Sequence, residues 1–163
     1  MSTPKKPIKR HKSLQPLSRE HHHGLLLCWK IKKGFNNKTQ VARIKNYVNW
    51  FYKNQLCSHF EAEEKHIFPI LGNEHKLIKQ ALNEHTRLRS LFESETEVEE
   101  NLQSITKELD DHIRFEERIL FNEIQSIATE RQLKTVDNIL QILYLYKTYL
   151  KRVYLPNMSL LNL

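Results

Sequence analysis

Four stretches of the sequence carry apolar residues at helical spacing, and a histidine interrupts each stretch near its middle. Two of them are near repeats, "HFEAEEKHIFPIL" over residues 59–71 and "HIRFEERILFNEI" over residues 112–124. Each repeat places a Glu four residues after its first His, so both side chains lie on one helix face. In the other two stretches the interruptions are single histidines, His21 and His85. Because an inward helix face is normally apolar, the pattern predicts polar groups from four helices inside one core.

The composition favours helices, since the 163 residues include only three Gly and five Pro. The first helix is predicted to begin near Ser18 and to end at about Lys33, with Gly34 as its stop signal. Three more helices follow after short connections, and a fifth begins near Glu130. The prediction is an all-α protein: an antiparallel up-down four-helix bundle with an additional C-terminal helix.

The ends of the chain differ from its middle in charge. The net charge of +7 comes from both ends, while the middle is close to neutral. We predict a basic flexible tail over residues 1–16, the bundle over residues 17–129, and a C-terminal helix and tail over residues 130–163. Basic ends are weak evidence for nucleic acid binding, and none is expected. The C-terminal helix is a candidate homodimer contact, although it could also cap the bundle or lie on a membrane surface.

The sequence offers no sign of export or membrane insertion. No run reaches the roughly 18 apolar residues that a transmembrane helix needs, and the basic N-terminus lacks the apolar core of a secretory signal. The two cysteines, Cys28 and Cys57, form no CxxC pair and are interpreted as reduced thiols. A cytoplasmic protein without a transmembrane segment is predicted.

Carboxylates at these core positions need a compensating charge. An ionised carboxylate that is buried alone costs at least several kcal/mol, and two in one core repel each other. Four neutral imidazoles supply one N–H donor each, too few to satisfy both carboxylates, whereas metal cations satisfy all the groups at once. The predicted metal ligands are four imidazoles and two carboxylates: His21, His59, Glu63, His85, His112 and Glu116.

This ligand set is too large for one tetrahedral zinc ion. It fits two octahedral ions that the carboxylates bridge, with positions left for water or a small ligand. Mixed imidazole and carboxylate ligands favour iron or manganese, and zinc is a further alternative. On the first helix, His21 lies on the apolar stripe and is preferred, with His22 as the alternative. His66, one turn beyond Glu63, is a weaker candidate ligand.

Several neighbouring side chains are expected to lie outside the site. Glu64 and Glu117 are turned about 100° from the ligand face of an ideal helix and are predicted to be solvated. Trp29 and Trp50 are predicted to pack in the core rather than to act as redox relays.

At the interrupted stretches the sequence resembles the hemerythrin-like family, the HHE cation-binding domains. The matching segments are "LSREHHHGLLL", "HFEAEEKHIFPIL", "ALNEHTRL" and "HIRFEERILF", in this order over about residues 14–128. The resemblance implies an up-down four-helix bundle around a non-haem di-iron centre with an oxo or hydroxo bridge. The residues that match family ligands are His59, Glu63, His85, His112 and Glu116, with Glu63 and Glu116 as bridging carboxylates.

Arg89 separates this chain from the oxygen-carrying members of the family. Those proteins have a fifth ligand His one turn after the third-helix ligand, and Arg89 stands at that place here. The resemblance is therefore to the four-His, two-Glu type, which includes iron-sensing domains and di-iron proteins that repair iron–sulfur clusters. The repair proteins share an N-terminal Cys-bearing segment, and the first 16 residues of this chain contain no Cys.

The predicted function is that of a hemerythrin-like non-haem di-iron protein. It would bind or react with O₂, NO or peroxide in sensing, stress response or iron handling. The first alternative is a di-iron enzyme that metabolises peroxide or NO or repairs iron–sulfur clusters. The second is a metal-free helical interaction module.

Overall fold

The computed structural model describes residues 9–154, and this part of the chain consists of helices and short loops without a strand. Its elements are a 3₁₀ turn, Lys12–Leu14, and five helices: α1, Gln15–Asn36; α2, residues 41–70; α3, Lys76–Glu93; α4, residues 98–127; and α5, Glu130–Tyr154. Helices α1 to α4 form the bundle and α5 is the additional C-terminal helix. The predicted fold class is confirmed.

Helices α2 and α4 contain π-helical turns. The segments of α2 are Val41–Phe51 (α), Tyr52–Leu56 (π), Cys57–Ala62 (α), Glu63–Ile67 (π) and Phe68–Ile70 (3₁₀). Those of α4 are Val98–Phe115 (α), Glu116–Leu120 (π) and Phe121–Ile127 (α). A π turn holds one residue more than an α turn, so it changes the face on which later side chains lie. One π turn in each helix begins at a Glu that was predicted to be a ligand.

Helix α1 does not stop at Gly34, so that prediction is wrong. The helix runs from Gln15 to Asn36 and therefore starts before Ser18 as well. A Cβ atom at position 34 would lie 2.9 Å from Cδ1 of Ile44. Glycine at this position therefore permits close packing of α1 against α2 rather than ending the helix.

Two apolar clusters fill the interior, and the predicted ligands lie between them along each helix. On α1, Leu17 belongs to one cluster and Leu27 to the other, with His21 between them. On α3, Ala81 and Leu88 flank the ligand position in the same way. The bundle thus has an apolar core at each end and a polar layer in the middle.

Segments outside the four bundle helices extend one of these clusters. Val136 and Leu140 of α5 are buried together with Leu14, which lies just before α1 and is 0% exposed. Residues 9–16, assigned to a flexible tail from the sequence, therefore include a buried anchor. The outer parts of the predicted tails, residues 1–8 and 155–163, lie outside the described residues, and the domain boundaries stay predictions.

The tryptophans do not occupy the core, so their predicted packing is wrong. Trp29 is 56% exposed and Trp50 is 38% exposed. Leu27, Cys28 and Ile31 already fill the inward face of α1, which turns Trp29 outwards.

The C-terminal half of α5 exposes many large apolar side chains. The exposed large apolar side chains there are Ile142, Tyr144, Leu145, Tyr146, Tyr149 and Val153. The homodimer through this helix stays a prediction. Within residues 9–154 no helix combines the length and apolar character that crossing a bilayer requires.

Gly24 permits a close contact between α1 and α4, and its replacement tests the packing. A Cβ atom there would lie 2.7 Å from Cδ1 of Ile113. Although Leu has the higher helix propensity, Gly24→Leu is expected to lower the free energy of unfolding by about 1–3 kcal/mol through overpacking. Urea unfolding followed by circular dichroism measures the change. The control is His23→Leu at the exposed neighbouring position, and equal stability of the two variants would contradict the close contact.

Candidate metal centre

The six side chains predicted as ligands meet in the polar layer of the bundle, and we call them the ligand cluster. Helices α1 and α3 each contribute one His, whereas α2 and α4 each contribute a His and a Glu. The exposed fractions are 3% for His21, 3% for His59, 0% for Glu63, 0% for His85, 2% for His112 and 0% for Glu116. Such burial of ionisable groups requires compensation inside the protein.

The ligand cluster divides into two groups that share both carboxylates. The first half-site is formed by His21 and His59, and the second by His85 and His112, each together with Glu63 and Glu116. Within each group the potential ligand atoms lie within 4.8 Å of one another. The geometry can hold two metal ions side by side.

Glu63 and Glu116 connect the two half-sites. Nε2 of His21 lies 3.4 Å from Glu63 and 3.0 Å from Glu116. Nε2 of His85 lies 3.4 Å from Glu63 and 3.8 Å from Glu116. Each carboxylate therefore faces imidazoles of both halves, as a bridging group must.

A second layer of carboxylates surrounds the histidines, and we call these the outer carboxylates. Their bonds to imidazole Nδ1 atoms are Glu20 to His59 at 2.8 Å, Glu64 to His85 at 2.7 Å, Glu84 to His112 at 2.7 Å and Glu117 to His21 at 2.7 Å. The pairs run from α1 to α2, from α2 to α3, from α3 to α4 and from α4 back to α1. Each helix thus orients the histidine of the next in a closed ring.

Glu64 and Glu117 are members of this ring, so the prediction that they are solvated is wrong. Both residues lie in π turns, where successive side chains are separated by a smaller angle than in an α-helix. This brings the residue after each buried Glu towards the neighbouring helix. Periodicity based on an α-helix could not reveal it.

The outer carboxylates determine which imidazole nitrogen carries the proton. Burial raises the pKa of Glu20, but His59 and Lys147 lower it to about 2. An ionised carboxylate only accepts hydrogen bonds, so the Nδ1–H group of each imidazole must donate. In a neutral imidazole the inward Nε2 then carries a lone pair. This is the tautomer that a metal-binding histidine needs.

The inward atoms of the ligand cluster have unmet bonding capacity. Nε2 of His21 and both carboxylate oxygens of Glu63 and of Glu116 are buried without a hydrogen-bond partner. The Nε2 atoms of His85 and His112 face each other at 3.1 Å. Lone pairs and carboxylate oxygens directed at one small volume attract positive charge, so this donor set fits metal cations.

Protons are the competing source of positive charge. Burial lowers the pKa of His112, but the carboxylates of Glu116 and Glu84 raise it to about 10. Burial and the nearby Glu63 raise the pKa of Glu116, yet the surrounding histidines hold it at about 2. Protons and metal ions thus compete for the same Nε2 atoms, and metal binding would release protons.

The two halves of the site are related by the internal sequence repeat. Glu63 and Glu116 each begin a π turn, and a Phe follows each of them at the same spacing. Phe68 stacks on His85 with ring centroids 5.5 Å apart, and Phe121 stacks on His21 at 5.3 Å. The repeat therefore specifies a ligand, a helix distortion and an aromatic wall in each half.

Other candidate residues lie away from the ligand cluster. His22 is exposed, and His66 is half-buried outside both groups. Arg89 does not enter the cluster, because its guanidinium pairs with Glu64 at 2.9 Å. Sequence reasoning missed Glu20 and Glu84, although both immediately precede a predicted ligand His. That repeated Glu-His pair was the available signal.

The chain matches the family model of the hemerythrin HHE cation binding domain over residues 14–124. This range covers more than half of the chain and contains the whole ligand cluster, and the chain belongs to this family. The family resemblance is confirmed, while assignment to the four-His, two-Glu type stays a prediction. Comparison with curated proteins and with solved structures gave no match. Together, the family and the donor set indicate a protein that binds metal ions.

Removal of an outer carboxylate should weaken metal binding without removing a ligand. Glu84→Ala deletes the acceptor of the His112 Nδ1–H group, and we expect metal affinity about 10- to 100-fold lower. Competition with a chelator for Fe²⁺ under anaerobic conditions measures this. Glu108→Ala is the matched control, since Glu108 has similar side-chain exposure and pairs with Arg87. Unchanged affinity in Glu84→Ala would contradict the orienting role.

Proposed function

We propose that this protein is a hemerythrin-like non-haem di-iron protein that binds or reacts with O₂, NO or peroxide. Its role would lie in sensing, stress response or iron handling. The observation that carries the proposal is the pair of half-sites that share two buried carboxylates. Four imidazoles are fixed around them with Nε2 inwards.

In this proposal each half-site holds one iron ion. His21 and His59 would ligate the first ion and His85 and His112 the second, while Glu63 and Glu116 would bridge them. Each ion would then have two nitrogen and two oxygen donors from the protein. This is fewer than an octahedral ion accepts, so an oxo or hydroxo bridge and a small ligand would find positions. Two adjacent irons supply redox chemistry and a binding position for O₂, NO or peroxide.

The protein itself would provide an oriented environment that is buried from bulk solvent. The apolar clusters on both sides of the polar layer shield the donor atoms from bulk solvent. The outer carboxylates hold each imidazole through Nδ1, which keeps Nε2 available and raises its basicity. Mixed nitrogen and oxygen donors favour iron, with manganese or zinc as alternative metals.

Arg89 supports a reactive or sensing role over simple oxygen carriage. Oxygen-carrying relatives have a fifth ligand His at this position in the sequence. Here Arg89 is tied to Glu64, so the second half-site has no more protein donors than the first. The ion there would keep an additional position for an exogenous ligand.

Iron loading and ligand spectra test the proposal directly. Anaerobic reconstitution should give about two irons per chain, the stoichiometry of a di-iron bundle. Absorption spectra with and without O₂, azide and NO should then show bands that depend on the added ligand. Repeated turnover of peroxide or NO would support the alternative function, a di-iron enzyme. A colourless, metal-free protein whose stability does not respond to iron would favour the interaction module and contradict the proposal.

Loss of one ligand should reduce iron content and thermal stability together. His112→Ala removes a donor from the second half-site, and bound metal stabilises the folded state by mass action. We expect fewer irons per chain and a Tm several degrees lower in the presence of iron. His23→Ala, at an exposed histidine on α1, is the control. Full iron loading of His112→Ala would refute the assignment of this ligand.

A further inference from the structure

Each outer carboxylate has a second bonding partner besides its histidine. These partners are Lys147 to Glu20 at 3.0 Å, Arg10 to Glu117 at 3.1 Å, Arg89 to Glu64 at 2.9 Å and Gln80 to Glu84 at 2.8 Å. Three of the four are cations. A chain of contacts therefore leads from each ligand histidine, through a carboxylate, to a residue nearer the surface.

The origin of these partners differs between the two half-sites. The second half-site is supported by Arg89 and Gln80, which both lie on α3 within the family-matched residues 14–124. The first half-site is supported by Arg10 and Lys147, and both lie outside that range. The ligands are related by approximate two-fold symmetry, but the residues that bond to the outer carboxylates are not.

We infer that Arg10 and Lys147 are positioning residues through which the segments flanking the family domain hold the His21–His59 half of the metal centre. The inference rests on the proposed function, because it assigns a role towards the bound metal. It adds a function for α5 and for the segment before α1. Both segments would be parts of the metal site rather than appendages.

The packing of α5 brings Lys147 to its partner. Val136 and Leu140 on the inward face of this helix are buried in the second apolar cluster. Lys147 lies seven residues after Leu140, two turns further along the same face. Its ammonium group donates to Oε1 of Glu20. The other carboxylate oxygen of Glu20, Oε2, accepts from Nδ1 of His59. The side chain is 28% exposed, so the ion pair is partly shielded from solvent.

Arg10 supports His21 along two routes. Its guanidinium donates to the carboxylate of Glu117, which accepts from Nδ1 of His21. It also lies over the ring of Phe121 at 5.2 Å, and that ring stacks on His21. The side chain is 10% exposed. Because Arg10 makes several other contacts as well, Lys147 is the cleaner position for a test.

The two ions should therefore differ in their dependence on the flanking segments. Removal of the Lys147 charge leaves the Glu20 carboxylate free to turn away from His59. The first half-site would then bind its ion less tightly, while the second would be unchanged. Removal of the Arg89 charge should instead weaken binding of the ion in the second half-site and leave the first unchanged.

Lys147→Met in the full-length protein tests the inference, with Co²⁺ as a paramagnetic metal probe. Each metal-bound imidazole has one Nδ1–H proton, which gives a shifted NMR signal of its own. Glu20→Gln, Glu64→Gln and Glu84→Gln identify the signals of His59, His85 and His112. Lys147→Met should move the His59 signal and leave that of His112 in place, whereas Arg89→Met should move the His85 signal.

Chelator competition should show one of two ions bound about two- to fivefold more weakly in Lys147→Met, the range for a partly exposed ion pair.

Two further variants separate positioning from general stability. Lys151→Met removes an exposed cation one turn later on α5 and should leave all signals and both affinities unchanged. Lys147→Arg restores the charge and should return the His59 signal towards its original position. Equal weakening of both ions by Lys147→Met, or no change at either, would overturn the inference. Failure of the unmodified protein to bind two Co²⁺ ions would instead contradict the proposed di-iron function.

Discussion

The structure depends on the need for positive charge at the centre of an apolar bundle. Glu63 and Glu116 are fully buried, and their oxygens have no hydrogen-bond partner. Apolar clusters lie on both sides of them. Protonated imidazoles would compensate the carboxylate charge in part. Metal ions bound by the imidazoles and the carboxylates together would compensate it more fully. The same groups that would be unfavourable in an ordinary core thus become a reason for the bundle to bind cations.

The outer carboxylates fix the orientation of the buried imidazoles. A buried imidazole can rotate and can carry its proton on either nitrogen. Hydrogen bonds from Nδ1 to Glu20, Glu64, Glu84 and Glu117 fix both choices. Because each bond joins one helix to the next, the ring also ties the four helices together at the level of the site. The hydrogen bonds that orient the predicted ligands therefore also connect the four helices.

Helical periodicity was sufficient to predict the helices and to select the six buried positions of the ligand cluster, because both follow from which face turns inwards. It failed where the helix itself departs from the α form. Glu64 lies on a π turn and so reaches His85 instead of solvent. It also failed where a residue has two explanations, as at Gly34, which suits a helix end and a close helix contact equally well in sequence. Contacts across the chain, such as Lys147 with Glu20, leave no local pattern and needed the folded arrangement.

The shared carboxylate Glu116 has a consequence for the order in which the protein matures. It lies on α4, the last helix of the bundle, and both half-sites include it. The bond between Glu117 and His21 likewise joins that helix to the first. A nascent chain therefore carries no finished half-site until the ribosome has released α4. Under the proposed function, metal insertion would follow synthesis of nearly the whole domain, and an interrupted translation product would lack a complete set of ligands.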